Sequence, residues 1–208
     1  MVVGYGVCVG SWDKFQRFVA PHTVNRPLVT LSGQTSIAEA YNAILAAYRE
    51  RSERVDALIL QHDDLEIIDP DAEEKFLATL TDQSVQLVGV AGGRGDTSLA
   101  WWNSETVGHQ LIDTGMLNFG ERSGDVAIIE GSVMCLSPHV IETLRFDTRY
   151  PGFHSYDEIC LTVRERGGRV VVADVDTHHH TTLGFSSEAS GQQWAEGDQL
   201  FKMKWGKS

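Results

Sequence analysis

Four short clusters in this 208-residue chain carry residue types able to hold a cation or move a proton. His62-Asp63-Asp64 follows the apolar run 57–60, Glu130-Gly131 follows the apolar run 126–129, Tyr156-Asp157-Glu158 opens a helix-like segment, and His178-His179-His180 closes a β-branched one. Adjacent carboxylates repel each other, so a site that keeps both ionised usually holds a cation. Singly, each cluster has a plainer account. Asp63-Asp64 suits an acidic strand-to-loop corner and Glu130-Gly131 a turn. Acids such as Asp157 and Glu158 favour a first helical turn through the macrodipole alone, and three histidines can line a solvated loop. Together they read as one site, with carboxylate and imidazole ligands for a divalent metal and a second carboxylate free for proton transfer.

Such a site needs elements that bring the four clusters to one edge. The run into His62 is short, continuous and apolar, the pattern of a buried strand in a mostly parallel sheet, whose carboxyl ends gather ligands. Further strands are predicted at 2–9, 28–31, 85–91, 126–129, 132–136 and 169–174. Ser36-Ile-Ala-Glu39 matches a capping box, and Ile37, Tyr41, Ile44, Leu45 and Tyr48 follow at helical spacing. Asp71 starts another helix with Phe76, Leu77 and Leu80 inward, and Ser137-Pro138 starts one that runs through Leu144. A fourth runs from about Tyr156 to Arg166 and stops at Gly167-Gly168. Gly92-Gly93-Arg94-Gly95 reads as a flexible loop, and the stretch from Trp101-Trp102 to Gly124 as irregular and functional. The tail from Ser186 carries Trp194, Leu200, Phe201 and Trp205 among lysines, the pattern of a helix folding back over the site. Strands alternating with helices argue for an α/β sandwich.

The totals narrow the function. Net charge is −12 with no Lys/Arg cluster, which argues against binding nucleic acid through its phosphates. An acidic protein still binds an anionic nucleotide where a divalent cation supplies local positive potential. Neither GxxxxGK[ST] nor GxGxxG after the first strand is present, so the usual phosphate cradles are missing. Cys8, Cys135 and Cys160 are isolated, as in a reducing compartment, and the last two fall in apolar patterns. No apolar run reaches membrane-spanning length and the first residues lack a secretory leader's plan. A cytoplasmic protein is expected, with peripheral association with a membrane enzyme system left open.

In this order the motifs resemble the nucleotide-sugar glycosyltransferases of the GT-A fold, most of all the bacterial branch of glycosyltransferase family 2 whose metal strand ends in His-x-Asp. Ala38-Glu-Ala-Tyr-Asn42-Ala-Ile-Leu-Ala-Ala resembles the family's helix before that strand, and Leu60-Gln-His-Asp-Asp64 its Asp-x-Asp region. Val88-Gly-Val-Ala-Gly92 followed by Trp101-Trp102 resembles the next strand and loop, and Ile129-Glu-Gly-Ser132 the Asp-Gly segment with Glu for Asp. The base-bearing segment is matched by Gly152-Phe-His-Ser-Tyr-Asp-Glu-Ile-Cys-Leu161, the closing strand by Val170 to His180, and the terminal Phe-x-x-Lys-Trp by Phe201 to Trp205.

The resemblance implies one Rossmann-like GT-A domain over 1–208, an α/β/α sandwich with a mostly parallel central sheet, whose tail, 185–208, packs over the site. It implies hexosyl transfer, with inversion, from a nucleotide diphosphate-sugar to a sugar or other hydroxyl acceptor, and Mn²⁺ or Mg²⁺ as cofactor. A role in bacterial polysaccharide or glycoconjugate synthesis goes with it. Asp64 and one histidine of His178, His179 and His180, with His179 the first choice, become metal ligands, and Asn42, Asp63, Trp102, Glu130 and Gly131 nucleotide-sugar contacts. Asp157 becomes the base, although spacing to Cys160 one residue shorter than the family's leaves Glu158 as an alternative. Ser32-Gly33-Gln34-Thr35 lacks the family's acidic base-gripping residue. A sugar-nucleotide nucleotidyltransferase and a non-catalytic nucleotide- or metal-binding relative are the competing readings. The first calls for a Gly-rich basic loop after strand one, and Gly10-Ser-Trp-Asp-Lys14 does not supply it.

Overall fold

The computed structural model describes residues 1–34, 36–96, 98–151, 154–181 and 188–206, and of 188–190 the backbone alone. Thr35, Gly152, Phe153 and the start of the tail through Ser187, all part of the motifs above, lie outside the described residues. The chain opens with β1 (Val3–Val9), the helical turn α1 (Trp12–Lys14) and two further turns, Phe15–Val19 and Ala20–His22. Next come β2 (Leu28–Ser32), α2 (Ile37–Glu50), β3 (Ala57–His62), β4 (Leu65–Ile67), α3 (Ala72–Thr79), β5 (Val85–Gly89) and β6 (Ala91–Gly93). The middle holds β7 (Thr106–Ile112), β8 (Gly115–Asn118), β9 (Gly124–Val126), β10 (Ile128–Ile129) and β11 (Val133–Leu136). It closes with α4 (Pro138–Thr143), α5 (His154–Glu165), β12 (Arg169–Val172), β13 (Thr177–His179) and α6 (Glu188–Trp205).

The main sheet has the order β2-β1-β3-β11-β5-β12-β9. It is mixed, which corrects the expectation of a mostly parallel sheet. Pairs β1–β2, β1–β3 and β5–β12 are parallel, while β11 runs antiparallel to both β3 and β5, and β9 to β12. The physical reason is where β11 enters: it follows β10 of the second sheet after only Glu130 to Ser132, and so starts beside Gln61 at the carboxyl end of β3 and runs back between β3 and β5.

Alternation along each strand divides the core between the sheet's two faces. Leu58 and Leu60 of β3 pack with Tyr41, Ile44 and Leu45 of α2, Val140 and Ile141 of α4, and Ile159 and Val163 of α5. Ala57 and Ile59 point the other way, with Phe76 of α3 and Leu65 and Ile67 of β4. Ser36 caps α2 through its hydroxyl on the Glu39 amide at 3.4 Å, and Ser137 caps α4 on the Val140 amide at 3.3 Å.

The second sheet, β10-β6-β7-β13-β4 with β8 on β7, comes from residues that composition disguises. The predicted strand 85–91 is two strands in two sheets, since the chain leaves the main sheet after Gly89 and enters the small one at Ala91. Predicted strand 126–129 splits likewise between β9 and β10. Gly92 and Gly93 are paired with β10 and β7 rather than in a loop, and most of the supposedly irregular stretch to Gly124 is the β7–β8 hairpin. β13 lies between β4 (antiparallel) and β7 (parallel), which makes the histidine run a sheet element.

Candidate active site

β1 and β3 are parallel neighbours, so the loops leaving their carboxyl ends lie side by side. Asp63 ties them together: its Oδ2 accepts the backbone amides of Gly10 at 2.7 Å and Ser11 at 2.5 Å. Asp64 is turned to the second sheet. Its Oδ1 stands 3.2 Å from His179 Nε2, and its Oδ2 accepts the Lys14 ammonium at 2.9 Å. His62 completes the group, with Nδ1 4.0 Å from Asp64 Oδ1 and its ring 5.5 Å from that of His179. One ligand atom from each of His62, Asp64 and His179 lies within 4.8 Å of the others, an arrangement that could hold a metal ion.

The electrostatics follow from this crowding. Burial opposes ionisation of Asp64, but hydrogen bonds from His179 and Lys14 outweigh it and hold the carboxyl well below its ordinary range. Burial likewise opposes charge on His179, and the Asp64 carboxylate more than compensates, raising that imidazole. His62 goes the other way: burial, then the charge of His179, lower it. A neutral imidazole beside an ionised carboxylate is the protonation state a cation needs in its ligands.

The first turn of α5 reaches the cluster through Tyr156, whose hydroxyl is 2.8 Å from His62 Nε2. Gly131 makes that approach possible, since a Cβ there would stand 1.7 Å from the Tyr156 ring. Glu130, just before it, accepts the Ser132 amide at 3.0 Å and the Ser132 hydroxyl. Its charge acts on His62 and His179 on one side and on Asp157 on the other.

Asp157 and Glu158 have different surroundings. Both are buried. Asp157 faces His154, Oδ2 to Nδ1 3.0 Å, while His154 Nε2 is 3.1 Å from the Trp194 carbonyl of α6. A carbonyl only accepts, so Nε2 carries a proton, and the Nδ1–Oδ2 contact shares one more between imidazole and carboxyl. Burial pushes the Asp157 carboxyl up to about 6, against the pull of His154. Glu158 is held instead by the Lys204 ammonium of α6 and the Thr162 hydroxyl at 2.6 Å. Gly197 gives α6 its close seat on His154, whose ring a Cβ there would meet at 2.0 Å.

Of the residues picked from sequence, Asp64 and His179 are brought together, with Asp63, Glu130 and Gly131 in the adjoining turns and Asp157 one residue from Tyr156. Asn42 lies on α2. Its amide clamps the Phe146 backbone, donating to the carbonyl and accepting from the amide, each at 2.9 Å. Trp102 is half exposed on a short turn beside buried Trp101. His62, Lys14, Tyr156 and His154 enter with roles that sequence left unassigned. The i, i+3 spacing of His154 and Asp157 was a readable signal; nothing local marked Lys14, which arrives through the β1–β3 pairing.

A mixed α/β sheet with a carboxylate–imidazole cluster at its carboxyl edge, backed by a small second sheet, is the architecture of the GT-A fold. Solved structures share the fold. A197 from STIV superposes with a TM-score of 0.60 at 13% identity, covering 88% of this chain and 87% of that one. GalNAc-T7 with UDP, GalNAc and Mn²⁺ gives 0.59 at 9% over 88% of this chain and 43% of that one. The mannosyltransferase PcManGT from Pyrobaculum calidifontis, with GDP-Man and Mn²⁺, gives 0.57 at 12% over 86% and 57%. The sequence model described as "Glycosyltransferase like family" matches residues 5–194, and the streptomycin biosynthesis protein StrF of Streptomyces griseus is 33% identical over 196 residues, 89% of this chain and 69% of that protein. The chain therefore belongs to the glycosyltransferase-like family and is a transferase.

Proposed function

We propose that the protein transfers a sugar, with inversion, from a nucleotide diphosphate-sugar to an acceptor hydroxyl, and that Asp64, His179 and His62 hold a divalent cation for this reaction. The observation that carries the reading is the convergence of Asp64, His179 and His62 at the carboxyl edge of β3, with the α5 carboxylate Asp157 one residue beyond the Tyr156–His62 contact. One carboxylate and two imidazoles suit Mn²⁺ better than the harder Mg²⁺. The bound ion neutralises charge on the departing diphosphate. Lys14 adds a second positive charge on the same side. Asp63 holds the β1 loop on the nucleotide side. Asp157 takes the acceptor proton, and its elevated pKa suits a base that works near neutral pH. Glu158, paired with Lys204, keeps α6 seated over α5. The UDP held by GalNAc-T7 and the GDP-Man held by PcManGT fit a nucleotide donor here. A place in bacterial glycoconjugate assembly, in a cytoplasmic setting, accords with the reading. Among the described residues no helix is long and apolar enough to cross a membrane.

Isothermal titration with UDP and GDP, with and without Mn²⁺, tests this. Metal-dependent binding of one of them by the wild type is expected, with loss of that dependence in Asp64→Ala. Binding that ignores Mn²⁺, or none at all, sinks the reading.

A further inference from the structure

The histidine run supplies more than one cluster. Strand alternation sends His179 to Asp64 and leaves His178 and His180 on the opposite face of β13. Register then decides their neighbours: Glu66 of β4 lies directly across from His178, and Leu111 of β7 flanks it on the other side, two residues before Asp113. Glu66 Oε2 is 3.0 Å from His180 Nε2, and Asp113 Oδ1 is 3.2 Å from His178 Nε2 and 3.6 Å from His180 Nδ1. One ligand atom from each of Glu66, His178 and His180 lies within 4.8 Å of the others.

We infer that Glu66, His178 and His180 form a second metal site, for a zinc-class divalent ion, distinct from the Asp64 cluster. Three observations support it. The donors are spaced as ligands: a tetrahedron with arms of roughly 2.0–2.2 Å has edges of about 3.4 Å, and Glu66 Oε2 and His180 Nε2 stand 3.0 Å apart. His180 turns its other nitrogen to Asp113, so that carboxylate lies beside the three ligands and not among them. His178 Nε2 is buried and makes no hydrogen bond although Asp113 Oδ1 is 3.2 Å away. A buried imidazole nitrogen without a hydrogen bond is open to a metal ion. No basic side chain stands in for the cation either. Among the described residues no lysine or arginine forms an ion pair with Glu66 or Asp113, and Lys14 acts on Asp113 only through its charge, whereas in the otherwise similar group His109, Asp174 and Asp176 the Arg122 guanidinium supplies the cation, 2.7 Å from Asp174. Two neutral imidazoles and the Glu66 carboxylate, with Asp113 alongside, balance a divalent ion.

The site has a structural consequence. It would pin β13 to β4, and the Phe18 ring, stacked on His180 at 3.6 Å, packs against it. The backbone of His180 donates to the Asp64 carbonyl at 2.8 Å, so the two clusters are joined by one strand. An ion behind β13 therefore holds His179 against Asp64. This inference does not depend on sugar transfer.

The test is zinc binding by the whole protein, measured by competition with a chromophoric chelator, and the visible spectrum of the Co²⁺-loaded form. Asp64→Asn should keep its tighter Zn²⁺ within about twofold of wild type, while His178→Gln with His180→Gln weakens it at least about 100-fold and removes the tetrahedral Co²⁺ band. Should the double variant fail to fold by circular dichroism, Glu66→Gln, at a half-exposed position, is expected to weaken Zn²⁺ about tenfold or more. Equal Zn²⁺ affinity in the histidine variant and the wild type, loss of zinc in Asp64→Asn alone, an unaltered Glu66→Gln, or no wild-type binding tighter than about 10 µM overturns the inference.

Discussion

At the scale of residues, the two carboxylates of α5 divide their tasks by their neighbours. The Asp157 carboxyl is lifted by burial from 3.8 to about 6. Between those values the folded chain binds a proton that the unfolded chain has released. The stability contributed by this group is therefore present at low pH and is lost as pH rises through about 6. With Asp157 as the proposed base, activity carries the opposite sign, because a base works only with its proton off. Transfer should rise with pH through about 6 and level off above it, as a rate profile across that interval will show. His154 and Glu130 act on the same carboxyl, the first lowering and the second raising it. Asp157→Asn should cut kcat by roughly 10²–10⁴-fold. It should leave nucleotide binding by calorimetry intact and melt no lower than wild type at pH 8. Full activity in that variant together with a dead Glu158→Gln would move the base by one residue.

At the scale of elements, α6 is the piece that closes α5 from outside. Phe201 is fully buried, in a cluster with Ala91, Leu99, Trp101, Tyr150 and Leu161. Phe201→Ala should cost about 3–5 kcal/mol, read as a lowered urea midpoint, and should depress transfer because His154 loses its seat against the Trp194 carbonyl. Gly131→Ala is a sharper probe of the α5 approach. Its Cβ meets the rigid Tyr156 ring, so an overpacking penalty of roughly 1–3 kcal/mol is expected in the same denaturation experiment. Much of the element order is legible in the chain itself: α2 by its cap and apolar spacing, α4 by Ser137-Pro138, and α5 by its arrest at Gly167, which adopts φ +83°. The small sheet is not. Its strands β4, β6, β10 and β13 are two or three residues long, too short for a period to show, and glycine-rich segments imitate loops.

For the whole molecule, the proposed donor has to be bound against the field of an acidic chain: with net charge −12 the protein repels an anionic diphosphate. Local cations have to reverse the sign, and the fold offers Lys14 and the Asp64 cluster for that purpose. UDP or GDP together with Mn²⁺ should therefore raise Tm well beyond the sum of either alone. The stabilisation should reach about 2.7 kcal/mol at one hundred times Kd; additive, independent shifts in a thermal melt would contradict the coupling.

The sequence by itself determined the α/β class, the strand that ends at His62, the helix that carries Asp157, and the residue types of the candidate metal cluster. These rest on patterns within a few residues of one another, where backbone periodicity and capping act directly. Only the tertiary structure decided which histidine meets Asp64, that His62 and Tyr156 join it, and that Asn42 holds Phe146 across 104 residues of chain. Those choices depend on register between strands distant in sequence, and a shift of one residue in β13 would have exchanged His179 for its neighbours. Antiparallel β11 within the main sheet, and a small sheet assembled from fragments, belong to the same category: pairing partners are selected by the packed core as a whole, and no local stretch of the chain encodes them.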